Sequence, residues 1–505
     1  MNRYAYKFYF IAYLLFSLGI NNTIKSQEWP TEKKNIYFED TPLSIVLDSL
    51  SSIYKVNFSY NANIIGAYDH ISLSESTTLQ NVLQILFKGK NIEFSIIGKQ
   101  VILYKVIDTE QGKPLKTIEK NEITIKGNIS NTSNFVLPYA SISLKGTGIA
   151  TVANSFGEFV FRFPKNPNHD TIIISYIGYE PYFLLIDTIS SEYYNIVLKE
   201  QPLEIKPVVV KVISASEIVR KAIANIHLNY SNKNSMYTAF YRETIHDGDD
   251  YISIVEAILD IAKSSYTSIF FNDQARVFKG HKSTNTKKIE NLKFSVQGGV
   301  YNCLKIDLVK ESSVFFSYEG LNQYDYKLIK NIVYNEYSLY VIDFEPKKFI
   351  DDLSYSGTLY IEHDTYALVA VKFQLTKQGL KYAQNLLIKK RPRKLSVKPI
   401  ETNYLISYRK YNGKWHLDYT QLELKVKTKS NKWFINPVFT TVSQMVVTSI
   451  DTSNSSRFKY KDIVKSDDII EEIVGYDDNY WDGYNIIQAE EPIIKAIQRI
   501  SEKPN

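Results

Sequence analysis

The sequence predicts a multi-domain, mainly β protein in which a small α/β module and a compact β-sandwich precede a large antiparallel, β-rich α+β domain. Three observations carry this reading: a unit written twice near the start, a run of short alternating segments punctuated by glycine, and a long series of alternating segments opened by one amphipathic helix. At 505 residues the chain has room for roughly three domains of ordinary size. Its 44% hydrophobic and 14% aromatic content excludes wholesale disorder.

Residues 1–26 read as a cleaved signal peptide. Arg3 and Lys7 precede an apolar stretch over 8–20 that is too short to span a bilayer as a mature helix. Ser26 before Gln27 is the expected cleavage point, although Ile24 departs from a small-x-small pattern. The chain's one cysteine is Cys303, so neither an N-terminal lipid nor an intramolecular disulfide is expected, and Cys303 reads as a small core residue. The net charge of +6 falls to +3 when Arg3, Lys7 and Lys25 leave with the leader, too small a surplus to argue for nucleic acid.

Residues 35–106 form the first module. At an offset of 36 residues, Thr41, Leu43, Val46, Leu47, Leu50, Phe58 and Ser59 recur as Thr77, Leu79, Val82, Leu83, Leu86, Phe94 and Ser95. The leucines and valines have helical spacing, with Thr41 and Thr77 as expected caps and Pro42 at the first helical position. Short strands follow at 56–60 and 92–97, and a turn at Gly98-Lys99 leads into 101–104. Both helices are expected on one face of a small sheet. This run resembles the secretin and TonB short N-terminal (STN) domain, which implies a docking module for a periplasmic or outer-membrane protein.

Residues 122–200 follow a polar linker at 109–121. Strands are expected at 123–127, 140–144, 157–163, 171–176 and 193–198, with Gly146, Gly148, Gly157 and Gly178 at turns. The order Ile125-Lys126-Gly127, Leu137-Pro138-Tyr139-Ala140, Lys145-Gly146-Thr147, Phe156-Gly157-Glu158-Phe159 and Ser175-Tyr176-Ile177-Gly178-Tyr179 resembles the carboxypeptidase regulatory-like domain of Bacteroidetes envelope proteins. Ala150-Thr151 and Asn154-Ser155 depart from its usual pattern. The resemblance implies a transthyretin-like scaffold without chemistry of its own.

Residues 214–505 form the β-rich domain. Ile218, Val219, Ala222, Ile223 and Ile226 give an opening helix behind Ser214 or Ser216. Strands are expected at 236–243, 251–261, 300–310, 331–344, 356–362, 367–374, 402–409, 414–427 and 439–449. The segment 340–373 is similar to the hairpin of periplasmic half-barrels that carry lipoproteins or sense lipids. The ending, 476–500, resembles the close of other proteins with the same two leading modules. A lipid-facing barrel is not expected, because Lys and Glu recur on both sides of the strands.

No catalytic, cofactor-binding or metal-binding residue emerges. His70, His169, His227, His246, His281, His363 and His416 never stand at a metal-ligand spacing, and no hydrolase elbow, phosphate loop or dinucleotide fingerprint is present. His246-Asp247-Gly248-Asp249-Asp250 reads as a polar hairpin turn rather than a calcium loop, and Asp477-Asp478-Asn479 with Asp482 as a capping loop. Trp415 and Tyr480-Trp481 read as core more than as groove. Lys389, Lys390, Arg391, Arg393 and Lys394 form a solvated basic run that could meet anionic headgroups or acidic glycans. The expected protein is a non-catalytic envelope adaptor, exported to the periplasm and associated with the outer membrane, linked to TonB-dependent transport or signalling. It has no cofactor, and its C-terminal domain takes a lipid or glycan. The alternative is a lipid or lipoprotein carrier, and a hydrolase is the weaker class.

Overall fold

The computed structural model describes residues 31–60, 70–88, 92–97, 100–105, 122–165, 171–189, 191–201, 213–248, 250–268, 272–284, 295–296, 298–311, 313–348, 352–390, 395–430, 436–453, 456–464, 481 and 483–501. The expected leader, the linker, Gly98-Lys99 and the acidic loop around Asp477 lie outside the described residues. The chain divides into two compact units, Met1–Ile118 and Glu119–Asn505.

In the first unit the repeat folds twice as strand, helix and strand: β1 (Lys34–Pro42), α1 (Leu43–Tyr54), β2 (Asn57–Tyr60), then β3 (His70–Thr77), α2 (Leu79–Phe87), β4 (Ile92–Ile97) and the added β5 (Gln100–Lys105). Val46, Leu47 and Leu50 from α1 meet Val82, Leu83 and Leu86 from α2 in one core, as the helical spacing requires. The expected single sheet is divided. Each copy gives its first strand to an antiparallel β1–β3 pair and its second to a sheet ordered β2-β5-β4, in which β2 and β5 run parallel. The expected threonine caps are also corrected: Pro42 and Thr78 precede the helices, and neither helix has a side-chain cap bond.

The second unit opens with two layers. Strands β6 (Glu122–Asn131), β7 (Ser141–Leu144), β8 (Ala150–Val152), β9 (Glu158–Pro164), β10 (Thr171–Ser175), β11 (Tyr182–Leu185) and β12 (Tyr193–Leu198) form sheets ordered β11-β10-β7-β8 and β12-β6-β9. Their facing side chains, among them Ile125, Phe161 and Ile196 against Ile142, Ile172 and Leu184, share one core.

Helix α3 (Ala215–Ala224) follows, capped by Ser214, whose hydroxyl accepts the Glu217 N–H, and then the single turn α4 (Ile226–Asn229). The rest is β13 (Ser235–Asp247), β14 (Asp250–Lys263), β15 (Gln274–Thr284), β16 (Ser295–Val296), α5 (Val300–Lys305), α6 (Gly320–Gln323), β17 (Tyr324–Tyr334), β18 (Tyr337–Pro346), β19 (Tyr355–Glu362), β20 (Leu368–Leu375), α7 (Lys377–Leu387), β21 (Ile388–Lys390), β22 (Leu395–Tyr411), β23 (Lys414–Ser430), β24 (Val438–Asp451) and α8 (Glu491–Ser501). Ten of these strands make one antiparallel sheet, ordered β15-β14-β13-β24-β23-β22-β20-β19-β18-β17.

Two expected strands change. The expected strand at 300–310 starts as helix α5, because the Glu243 carboxylate accepts the Gly299 N–H at 2.8 Å and presents negative charge to that helix start. The expected strand at 331–344 is a hairpin, since Asn335 and Glu336 both take positive φ, 48° and 70°, and turn the chain between β17 and β18. Strand β15 and helix α7 were not anticipated.

The sheet has two differently used faces. On the inner face α3, α5, α6 and residues 306–311 and 313–319 pack against the sheet, with Cys303 and Phe315 fully buried and Phe315 stacked on Phe344 at 4.3 Å. Gly357 leaves room there, because a Cβ would stand 2.7 Å from the Phe373 backbone. A charged centre lies in this core: Lys263 Nζ reaches Asp273 at 2.7 Å and Asp307 at 2.6 Å, and the Tyr408 hydroxyl donates to Asp307 at 2.8 Å. Burial opposes the Lys263 charge, but Asp273 and Asp307 outweigh it and hold the ammonium well above the ordinary lysine range. On the outer face Phe240, Ile258, Tyr419 and Val446 pack with Val152 of the two-layer region and with Trp481, Ile486 and Ile487.

Candidate functional site

Backbone hydrogen bonds join the two-layer region to the large sheet at two places, and Val152 and Tyr139 also pack on its outer face. At one joint the β7–β8 turn meets β24: the Ile450 N–H donates to the Gly148 carbonyl at 3.1 Å, and Arg409 donates to the same carbonyl at 3.0 Å while pairing with Asp418 at 2.8 Å. At the other, Gly178 N–H reaches the Val333 carbonyl of β17 at 3.3 Å. The space between is a cleft of about 490 Å³, within the usual range of ligand pockets.

Sheet register builds the floor. Residues opposite one another in antiparallel strands point to the same face, so pairing places Asp343, Thr358, Lys372, Leu405, Gln421 and Gln444 in one row across β18, β19, β20, β22, β23 and β24. Thr358, Lys372, Leu405 and Gln421 line the cleft, with Ser356, Gln374 and Ser407 in the neighbouring rows. The Thr358 hydroxyl donates to Asp343 at 2.7 Å, and Gln421 accepts from Tyr419 at 2.7 Å and from Gln444 at 3.2 Å. Lys372 is different: it has no hydrogen-bond or ion-pair partner among the described residues. Its side chain reaches water through the cleft, yet the surrounding protein desolvates the ammonium and lowers its pKa below the ordinary lysine value.

The opposite wall carries tyrosines. Tyr139 stacks on Tyr419 of β23 at 5.6 Å and holds a left-handed backbone, φ 62°, which is rare for a bulky residue. Tyr176 and Ile177 continue this wall, and burial with the Asp343 and Tyr176 neighbours raises the Tyr360 hydroxyl to about 12. Asp418 closes one end; burial raises its carboxyl pKa, opposed by Arg409.

The residues singled out from the sequence lie elsewhere. Cys303 is buried, and burial pushes its thiol up while Thr420 opposes. His416 Nδ1 shares a 2.9 Å hydrogen bond with the Tyr237 hydroxyl in the inner core, His281 is buried on β15, His363 stacks on Tyr340 at 3.8 Å, and His227 and His246 bond backbone carbonyls at 2.9 and 2.6 Å. His70 begins β3, and His169 lies outside the described residues. Among the described residues no group of three or more His, Cys, Asp or Glu side chains is placed to hold a metal ion. Asp247 and Asp250 face each other across the β13–β14 turn, with Gly248 at φ 56°. Trp415 and Trp481 are buried and do not line the cleft, while Lys389 and Lys390 sit on β21, paired with β16. Sequence reasoning missed the cleft, although Lys372 left a trace: it is the one charge in the apolar strand Leu368–Leu375.

A family model described as CarboxypepD_reg-like domain matches residues 125–210, and one described as FecR, C-terminal, matches residues 35–103. Together they support an envelope-type protein. Comparison with curated proteins gives no match. Among solved structures, a putative outer membrane lipoprotein-sorting protein domain from Vibrio parahaemolyticus is similar at 10% identity and TM-score 0.21, covering 48% of this chain and 94% of that one. A DUF1329 family protein from Desulfovibrio piger aligns at 10% identity and TM-score 0.23, covering 49% and 98%. A LolA superfamily protein from Nitrosomonas europaea aligns at 11% identity and TM-score 0.19, covering 50% and 99%.

Proposed function

We propose that the chain is a non-catalytic binding protein of the periplasmic cell envelope, exported by residues 1–26. In this reading the first unit, an STN-like module, docks a protein partner of the outer membrane or of TonB-dependent transport or signalling. The second unit holds a ligand in the cleft between its two-layer region and its large sheet. The observation that carries the reading is the cleft itself, where an unpartnered Lys372 is exposed on a wall of hydroxyl and amide groups. The first unit leaves Ile45 and Ile85 exposed on its helices, apolar points suited to a protein contact.

The experiment compares native protein, a cleft-filling Leu405→Trp variant and an Ile45→Asp/Ile85→Asp variant, each crosslinked in intact envelopes and analysed by mass spectrometry. A co-purifying small molecule should disappear only with Leu405→Trp, and a crosslinked protein only with the helix variant. Small molecule and crosslinked protein both surviving both changes would sink the proposal.

A second reading, a carrier of an apolar ligand, has one observation in its favour. The inner face of the large sheet is lined by apolar and aromatic side chains, and what covers it is short helices and the irregular residues 306–311 and 313–319. Phe315 and its neighbours fill that space in the structure, so an acyl chain could enter only if this cover lifted. Solvent extraction of the purified protein tests it: stoichiometric lipid favours the carrier.

A further inference from the structure

We propose that the cleft takes an acidic carbohydrate, a small sugar whose carboxylate meets Lys372 and whose hydroxyls meet the uncharged polar groups around it; this rests on the reading of the cleft as the ligand site. The Lys372 ammonium stands in the cleft without a protein counter-charge among the described residues, and a bound carboxylate would supply both a charge partner and charge-assisted hydrogen bonds. The one carboxylate lining the cleft, Asp418, is engaged by Arg409 at 2.8 Å, and Asp343, farther along the row, is occupied by the Thr358 hydroxyl at 2.7 Å. A ligand carboxylate is thus the charge partner that Lys372 has room to take.

The groups around Lys372 decide what carries that anion. Ser356, Gln374 and Ser407 have hydroxyl and amide groups without protein partners among the described residues, so they can give and receive hydrogen bonds without adding charge. Tyr139 and Tyr176 on the facing wall offer amphipathic ring edges and faces to the C–H surface of a sugar ring. A fatty acid would meet Lys372 with its carboxylate and Leu405 with its chain, but it would leave the Thr358 and Gln421 polar groups of the same row without a ligand partner. A peptide fits poorly too. The floor is the face of β19, β20, β22 and β23, each flanked by a strand on both sides, so no free backbone ladder exists for a peptide to join.

The test uses the full chain and titration calorimetry with three probes: a galacturonate disaccharide, a galactose disaccharide of the same linkage, and phosphatidylglycerol vesicles. The acidic sugar should bind more tightly than the neutral one by on the order of tenfold to a hundredfold, the worth of one hydrogen bond to a charged group. Lys372→Gln should erase that preference, Lys372→Arg should retain most of it, and the exposed Lys398→Gln should leave it intact. Affinity should also fall as pH rises through the lowered lysine pKa, because the neutral amine loses the charge that holds the carboxylate. Circular dichroism of each variant separates lost binding from lost fold. Equal binding of the two disaccharides, or a preference that survives Lys372→Gln in a folded variant, overturns the proposal. Vesicles that bind through Lys372 and displace the sugar would assign the cleft to a lipid headgroup instead. A neutral ligand lost on Leu405→Trp would defeat the acidic sugar alone, whereas a ligand retained by Leu405→Trp would defeat the cleft as a site.

Discussion

Arg242 and Glu256 stand opposite one another on β13 and β14, 2.6 Å apart and almost wholly withdrawn from water. They continue the row that runs through the cleft, since Gln421 faces Gln444, Gln444 faces Arg242 and Arg242 faces Glu256. One polar belt thus crosses the outer face, open at Lys372 and covered at Arg242. The cover is residues 483–490: Arg242 donates to the Ile487 carbonyl at 2.9 Å and to that of Gln488 at 3.4 Å, while Thr151 donates to the Ile486 carbonyl at 3.0 Å. Arg162 donates to Tyr484 at 2.9 Å, so the segment is tied to both the sheet and the two-layer region.

Arg242→Met is expected to destabilise the second unit by about 3–5 kcal/mol, because it leaves Glu256 buried without its cation. Arg242→Met/Glu256→Leu should recover a large part of that loss. Urea unfolding of the three proteins measures it. A single variant as stable as the parent would mean that the Arg242–Glu256 pair adds nothing to the stability of the unit.

Much of the fold was legible. The twofold spacing of leucine and valine located both helices of the first unit because helical burial repeats along the chain, and alternation located most strands of the large sheet. What stayed hidden depends on register between distant segments. Lys372, Thr358 and Gln421 become one floor only when β20 pairs with both β19 and β22, and no local pattern states that pairing. Residues 300–305 were misread for the same reason: Val300, Cys303 and Leu304 are apolar enough for a strand, and the helix depends on Glu243, far away in sequence.

Gly148→Ala should loosen the joint between the β7–β8 turn and β24. A Cβ at this position would stand 2.4 Å from the Ile450 carbonyl oxygen, a backbone atom that cannot rotate away. A loss of roughly 1–3 kcal/mol is expected, as for overpacking elsewhere. Hydrogen exchange at the Ile450 amide reads it locally, and unchanged protection would show that the joint yields without cost.

Leu47→Ala and Leu83→Ala should each destabilise the first unit by roughly 2–4 kcal/mol, because both side chains are fully buried in its shared core. Thermal unfolding of the full chain, followed by protease susceptibility within the first unit, tests this. Dissimilar losses would show that the two copies do not contribute equivalently to that core.

The last prediction concerns acid. His416 is 1% exposed, and its Nδ1 shares the Tyr237 hydroxyl at 2.9 Å. Burial is the main reason its pKa falls from 6.5 to about 4, with the positive charges of Arg409 and Lys263 acting in the same direction and the Tyr411 backbone opposing. The native state therefore keeps the ring neutral where the unfolded chain would protonate it. Between about pH 6.5 and pH 4 the unfolded state binds more protons, so stability falls as pH is lowered through this window and changes no further from this group below it. The full effect is about 3 kcal/mol at 1.36 kcal/mol per pH unit. Glutamine can accept the Tyr237 hydroxyl without titrating, so His416→Gln should remove this component while sparing the bond. Urea unfolding at pH 7.5, 6 and 4.5 should show the parent losing stability faster than the variant. Parallel curves would mean that the ring is protonated in the folded protein and that the inner core admits its charge.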